Sequence, residues 1–167
     1  MDTKKWEDSY TKIERLVLPA DTNIFNALYG GRLVEWIDNV ASIVAIKHAR
    51  RRAVTGSIDS LYFLSPIHIA DIVKMEGRVN YVTRTTMEIE VDVNSQEGLT
   101  GTERFTTKAY LTYVAVDQDG RPTAIPSLSV ETDDEKRRFA EGEVRSKIRL
   151  DGLAKIKREM SLARTDS

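Results

Sequence analysis

The chain carries one long amphipathic segment, which limits the fold more than any other feature. Between residues 31 and 48, apolar side chains recur at steps of three and four, the spacing of a half-buried helix. They are Leu33, Ile37, Val40, Ala41 and Val44. A helix of roughly 20 residues is about 30 Å long, enough to run across a small domain. We therefore predict a central helix, entered from a polar, turn-prone stretch at residues 21–30.

Segments with the two-residue period of β-strands lie on both sides of this helix. In the clearest, 86–95, apolar and polar residues alternate without exception from Met87 to Asn94. The other predicted strands are 11–18, 53–65, 72–83 and 104–117. Short turns between consecutive strands predict an antiparallel sheet, and only the long helix can cover its apolar face. The predicted fold class is α+β, with a curved antiparallel sheet around one helix.

The chain divides by composition into a globular part and a charged tail. At 167 residues it is long enough to bury a core as one domain. We predict that domain over residues 1–130, with a frayed or short helical start at 1–10. Residues 131–167 are charged and helical in pattern, which predicts a C-terminal extension. Its last part, 151–167, is expected to be a separate helix or partly disordered.

Composition excludes several kinds of site. The formal net charge is −1, so no global field attracts nucleic acid or anionic lipid, and we expect neither partner. The absence of cysteine excludes disulfides and a cysteine nucleophile. His48 and His68 are not spaced like a metal pair, and we expect no metal site. The charged first ten residues and the lack of a long apolar run predict a cytoplasmic protein.

One acidic residue, Asp38, lies at the edge of the helix's apolar stripe, beside Val34, Ala41 and Ala45. It is either an ordinary surface acid or a carboxylate placed there for chemistry. Gly30 and Gly31 precede the helix and also admit two interpretations. They form a simple entry turn, or their free N–H groups at the positive end of the helix bind a developing oxyanion. The residues alone do not choose between these interpretations.

Seven short motifs together resemble one known family. They are DTN at 21–23, YGG at 29–31, WID at 36–38, VTGSID at 54–59, FLSPI at 63–67, TRTTMEIEVDV at 83–93 and LTYVAVDQDGRPTAIP at 111–126. In this order they resemble the hotdog-fold acyl-CoA thioesterases, in the branch of the YciA-like bacterial enzymes and the cytosolic acyl-CoA hydrolases of animals. The resemblance covers residues 13–138. It implies a hotdog fold and hydrolysis of acyl-CoA to a carboxylic acid and coenzyme A, without metal or prosthetic group.

The resemblance also implies roles for particular residues. Asp38 matches the catalytic carboxylate, which acts as general base or nucleophile; a thiolate leaves readily, so no strong general acid is needed. The amide of Gly31 matches the oxyanion donor. Asn23, which by itself is a typical turn residue, matches an asparagine that acts across a subunit interface. The active site is therefore expected to need a homodimer, and some members of the family form trimers of dimers.

Contacts to coenzyme A are expected from Gly30, Thr55, Arg84, Thr85 and Thr86. The basic run at 47–52 is expected to be a solvated helix end. Three segments depart from the family pattern: IFNA at 24–27 and Ala70-Asp71 where the family has glycine, and 83–86 where it has Gly-Arg-Thr-Ser. These departures affect loop conformation and ligand contacts more than the reaction.

Two other functions compete with hydrolysis. Some hotdog domains bind acyl-CoA without catalysis and regulate transcription, but those are joined to a helix-turn-helix, and this chain has only about ten residues before its first predicted strand. Hotdog dehydratases need a histidine with an acid, and neither histidine lies at the helix entry.

Overall fold

The computed structural model describes residues 2–59 and 61–165, with side chains through residue 162. The chain forms two compact units, Met1–Ser129 and Val130–Ser167. The elements of the first unit are β1 (Thr3–Lys4), β2 (Thr11–Leu16), α1 (Gly30–Ala49), β3 (Arg52–Ile58), β4 (Ile72–Val82), β5 (Thr86–Gln96), β6 (Glu103–Val116) and β7 (Ser127–Leu128). The second unit contains α2 (Asp133–Thr165).

The large sheet has the strand order β2-β4-β5-β6-β3, and every neighbouring pair is antiparallel. Helix α1 contacts all five of these strands. Its apolar stripe is fully buried, as are the inward-facing residues Val73, Met75, Ile89 and Leu111. This curled antiparallel sheet around one long helix is the predicted hotdog fold, which is confirmed.

Three local predictions were wrong. Strand β3 ends at Ile58 rather than residue 65, and beyond it the chain follows β6 through separate backbone hydrogen bonds, from the Asp59 N–H to the Tyr110 oxygen and from the Leu64 N–H to the Thr106 oxygen. Ser60, inside that predicted strand, lies outside the described residues. The first ten residues hold a short strand and one 3-10 turn rather than only a helical start, since β1 pairs with β7. The tail is not a separate helix from residue 151, because α2 runs unbroken from Asp133.

Helix α2 is charged around its circumference. Asp134 accepts hydrogen bonds from Arg137 and Arg138, and Arg137 also pairs with Glu141 one turn later. Such pairs three and four residues apart stabilise a helix locally. Within the part of the chain that the structure describes, neither α2 nor any other helix is apolar over enough residues to cross a bilayer.

Gly77 of β4 lets α1 approach the sheet closely. A Cβ atom at this position would lie 2.8 Å from Val40 Cγ1 and 2.9 Å from Val44 Cγ2. Both neighbours are β-branched residues with little rotamer freedom on a helix. The absence of a side chain at Gly77 therefore sets the distance between the helix and the middle of the sheet.

We expect Gly77→Ala to lower the free energy of unfolding by about 1–3 kcal/mol, since the added methyl overpacks the core. The midpoint of thermal unfolding, followed by circular dichroism, measures this effect. Gly152→Ala is the matched control: nothing lies within 4 Å of its added Cβ in α2, so no loss is expected. An unchanged midpoint for Gly77→Ala would show that the helix is not packed this tightly.

Candidate active site

The carboxylate of Asp38 is the centre of a hydrogen-bonded group beneath α1. Its Oδ1 atom accepts hydrogen bonds from Thr55 Oγ1 at 2.9 Å and from the Tyr113 hydroxyl at 2.6 Å. The Tyr113 hydroxyl also lies 2.8 Å from Ser42 Oγ. Asp38 is half-buried, so the carboxylate is held by protein donors and still reaches solvent. This is a prepared position for a base or a nucleophile.

Strand register brings the two donors together. Thr55 of β3 and Tyr113 of β6 are direct cross-strand partners, so their side chains lie side by side on one face of the sheet. Tyr113 shares the inward parity of Leu111 and Ala115, which points it at α1. The pairing of β3 with β6 thus places two hydroxyls under the turn of α1 that carries Asp38.

The first turn of α1 has free backbone donors. Tyr29 at the N-cap makes no side-chain capping bond. Its carbonyl oxygen accepts the N–H groups of Arg32, at 2.9 Å, and Leu33, at 3.1 Å. The N–H groups of Gly30 and Gly31 precede the first intrahelical bonds and lie at the positive end of the helix dipole. This arrangement suits an oxygen atom that gains negative charge.

Two cavities open beside the glycine pair. One of about 240 Å³ borders Gly30 and is mostly apolar, with Ala27, Leu28, Leu33, Phe63 and Ile67 among its walls. The other, of about 330 Å³, borders Gly31 and has charged walls that include Asp21, Arg32 and Glu35. An apolar cavity and a polar cavity therefore lie on either side of the glycine pair at the helix entry.

Asn23 lies in the loop before α1 and is not joined to Asp38 by any hydrogen bond among the described residues. Its Oδ1 accepts the N–H groups of Phe25 at 2.9 Å and Ala27 at 3.2 Å, an Asx-type turn. The side-chain oxygen is therefore used within the loop, and the amide Nδ2 is the part left to act on a ligand. Asn23 is both the predicted turn residue and a donor available to another molecule.

The remaining predicted ligand contacts lie near the same strands. Thr55, predicted as a coenzyme A contact, donates a hydrogen bond directly to Asp38. Arg84 and Thr85 lie in the turn between β4 and β5, and Thr86 is the first residue of β5; Arg84 is exposed, and the Thr86 hydroxyl lies 2.7 Å from that of Thr83. Thr86 pairs with Val114, so its side chain lies on the face of the sheet opposite to that of Tyr113 and the Asp38 group.

Neither histidine belongs to the Asp38 group. His48 is fully buried near the end of α1, where its Nε2 lies 3.1 Å from the Pro126 carbonyl oxygen. Burial lowers the pKa of His48, which keeps it neutral. His68 is exposed. Among residues 2–59 and 61–165, no group of three or more His, Cys, Asp or Glu side chains could hold a metal ion.

Tyr113 and Ser42 were not among the site residues predicted from the sequence. A tyrosine at an inward position between Leu111 and Ala115 needs a hydrogen-bond partner for its buried hydroxyl. This requirement could have identified Tyr113 from the sequence as a residue that contacts a polar group of α1. Ser42 follows Asp38 by one helical turn, so the two share a face of α1. What the sequence could not supply was the exact register that sets Tyr113 opposite Thr55.

Comparisons with known proteins place this chain among thioester hydrolases. The sequence model of one protein family, the thioesterase superfamily, matches residues 25–102. An uncharacterized acyl-CoA thioester hydrolase of Bacillus subtilis is 41% identical over 129 residues, which cover 77% of this chain and 74% of that protein. The cytosolic acyl coenzyme A thioester hydrolase of Rattus norvegicus is 34% identical over 139 residues, 82% of this chain, but the match spans only 36% of that longer protein.

Two solved structures have the same fold over nearly their full lengths. A hexameric acyl-CoA thioesterase without ligand superposes with a TM-score of 0.87 at 39% identity, covering 92% of this chain and 99% of that one. An acyl-CoA hydrolase of Staphylococcus aureus, solved with butyryl coenzyme A, coenzyme A and coenzyme A disulfide, gives 0.88 at 32% identity, with coverages of 95% and 97%.

Variants of the Staphylococcus aureus enzyme have also been solved, in which an asparagine, an aspartate or a threonine is replaced by alanine. The asparagine precedes the aspartate by 15 positions, and the threonine follows it by 17. Asn23, Asp38 and Thr55 have the same two separations. Fold, identity and coverage agree, and this chain belongs to the family of hotdog-fold acyl-CoA thioester hydrolases.

Proposed function

We propose that this protein hydrolyses acyl-CoA to a carboxylic acid and free coenzyme A. The observation that carries the proposal is the half-buried Asp38 carboxylate of α1, which accepts hydrogen bonds from the hydroxyls of Thr55 on β3 and Tyr113 on β6. A lone carboxylate with an oxyanion site is sufficient for a thioester, because thiolate is a good leaving group. Family membership supports the same reaction class.

In this mechanism Asp38 acts as general base on water or attacks the carbonyl carbon itself. A new carbon–oxygen bond forms while the carbonyl oxygen, now negative, accepts the N–H of the partner subunit's Gly31. A chain's own Gly31 is seven helical residues, about 10 Å, from its Asp38, too far for both to act on one carbonyl group. The carbon–sulfur bond then breaks, and the sulfur leaves as thiolate and takes up a proton. If Asp38 is the nucleophile, water next cleaves the mixed anhydride. The acyl chain would occupy the apolar cavity of about 240 Å³ beside Gly30.

A homodimer completes the site in this proposal, with Asn23 supplied by the partner subunit. Large apolar side chains around the helix entry are exposed in the single chain: Ile24 at 90%, Phe25 at 78%, Tyr62 at 70% and Leu64 at 66%. Edge strand β3 also leaves Val54 half exposed, at 50%. Exposed apolar patches and unpaired edges of this kind mark protein interfaces. The hexameric neighbour supports a trimer of such dimers.

Further parts of the proposal concern ligand contacts and conditions. Arg84, Thr85 and Thr86 would contact the coenzyme A portion, as the resemblance of the 83–93 motif to the family implies. The reaction would need no metal or prosthetic group. The cytosolic relative supports a cytoplasmic location.

The test is release of free thiol from acyl-CoAs of increasing chain length, from acetyl to palmitoyl, by the purified full chain. We expect turnover with at least one chain length, and an equal rate after dialysis against EDTA. Tight acyl-CoA binding without thiol release at any length would instead favour the non-catalytic regulator. A rate lost to EDTA and restored by a metal ion would contradict the metal-free mechanism.

A further inference from the structure

Tyr113 makes a contact that neither the family resemblance nor the comparisons assign. Its side chain is 1% exposed, and its hydroxyl is 2.6 Å from Asp38 Oδ1 and 2.9 Å from the Asp38 main-chain oxygen. Ser42 Oγ approaches the same hydroxyl at 2.8 Å. A buried phenol hydroxyl is thus wedged between the carboxylate and a second hydroxyl.

The direction of these hydrogen bonds follows from proton counting. An ionised carboxylate only accepts, so Tyr113 must donate its single proton towards Asp38. The Ser42 hydroxyl can then donate to the Tyr113 oxygen. Burial, and secondly the bond to Asp38, raise the pKa of Tyr113 to about 12, so the phenol keeps its proton at neutral pH. The result is a chain of donors from Ser42 through Tyr113 to Oδ1.

Both donors to the carboxylate bind the same oxygen atom. Thr55 Oγ1, at 2.9 Å, is the second donor to Oδ1. Among the described residues, no hydrogen bond reaches Oδ2. Two fixed donors on one oxygen restrict rotation of the carboxylate and leave the other oxygen unencumbered.

We propose that Tyr113 is a positioning residue that locks the Asp38 carboxylate with Oδ2 as the reacting oxygen, and that Ser42 supports Tyr113 in this role. The inference rests on the proposed function, because it assigns an orientation to the proposed catalytic carboxylate. A tyrosine that merely satisfied its own buried hydroxyl would have no effect on the chemistry, and this difference can be measured.

The experiment is steady-state kinetics of Tyr113→Phe over a range of pH. We expect kcat to fall about 10- to 100-fold with KM near that of the wild type, as for loss of other orienting hydrogen bonds. The acid limb of the pH profile of kcat/KM should move to higher pH, since the charged carboxylate has lost a donor. Ser42→Ala should shift both quantities in the same direction by a smaller factor.

Tyr10→Phe is the matched control. Tyr10 also gives its hydroxyl to a carboxylate, that of Glu76, but on the strands away from Asp38, so kcat and the pH profile should stay unchanged. Wild-type kcat and an unshifted acid limb in Tyr113→Phe would overturn the inference. If Tyr113→Phe does not fold, Ser42→Ala decides in the same way. Activity retained in Asp38→Asn would overturn the catalytic assignment itself, whereas an inactive Asp38→Asn with a fully active Tyr113→Phe would overturn only the positioning role.

Discussion

Asp38→Asn is expected to fold and assemble as the wild type does and to lose about 10²- to 10⁴-fold in kcat/KM for acyl-CoA. The amide has nearly the shape of the carboxylate, and its oxygen can still accept the hydroxyls of Thr55 and Tyr113 at Oδ1. The second oxygen becomes an NH₂ group, which can neither take a proton from water nor attack a thioester. Thiol release and size-exclusion chromatography measure the two halves of this prediction.

Glu14→Gln is the control for the loss of one negative charge. The Glu14 side chain is 49% exposed on β2, paired only loosely with Lys12 at 4.0 Å, and its loss should leave turnover unchanged. An Asp38→Asn protein with wild-type turnover would contradict both roles proposed for the carboxylate. Loss of activity together with loss of assembly would point to a structural role for Asp38.

The pattern of side chains was sufficient to predict the fold and to mark Asp38 as a candidate, whereas the catalytic interpretation of Asp38 came from the family resemblance. A single amphipathic helix among alternating strands has few ways to bury its apolar stripe, so the arrangement of sheet and helix followed from periodicity. Asp38 was conspicuous because a carboxylate bordered Val34 and Ala41. Neither argument required knowing which residue pairs with which across the sheet.

The hydrogen-bond donors to Asp38 could be identified only by knowing which residues pair across the sheet. Parity placed Tyr113 on the inner face of β6, but only the register of β3 against β6 sets it opposite Thr55, and a bulge directly after Thr55 alters that register. Bulges depend on backbone geometry that no alternation pattern encodes.

The structure also shows the backbone conformation at two of the segments that depart from the family pattern. Asn26 and Ala70 have φ angles of +56° and +67°, in the left-handed region that glycine occupies most easily. Asn26 lies in the segment where the family resemblance implies glycine, and asparagine tolerates this region through local hydrogen bonds. The loop that carries Asn23 therefore keeps a glycine-like conformation without glycine, and its turn is closed by the Asn23 side chain itself.

That closed turn gives Asn23→Asp a specific expected effect. A carboxylate oxygen can accept the N–H groups of Phe25 and Ala27 as Asn23 Oδ1 does, so the loop should keep its shape. The amide donors of Nδ2 are lost, and one lost donor at a developing negative charge costs about 10²- to 10³-fold in kcat. Wild-type turnover in Asn23→Asp would reduce Asn23 to a turn residue.

Mixing the two inactive variants should restore activity if Asn23 acts across a subunit interface. A heterodimer of Asp38→Asn and Asn23→Asp contains one doubly damaged site and one intact site, because the intact site takes Asp38 from one subunit and Asn23 from the other. Random pairing makes about half of the dimers mixed, so about a quarter of the wild-type rate should return.

The subunits are refolded together with different affinity tags, and co-purification through both tags verifies that mixed oligomers formed. If mixed oligomers have only the summed residual rates of the two variants, each site lies within one subunit and the interface proposal fails. Restoration above that sum cannot come from stability, since neither variant repairs the fold of the other, and it would make the dimer the unit of catalysis.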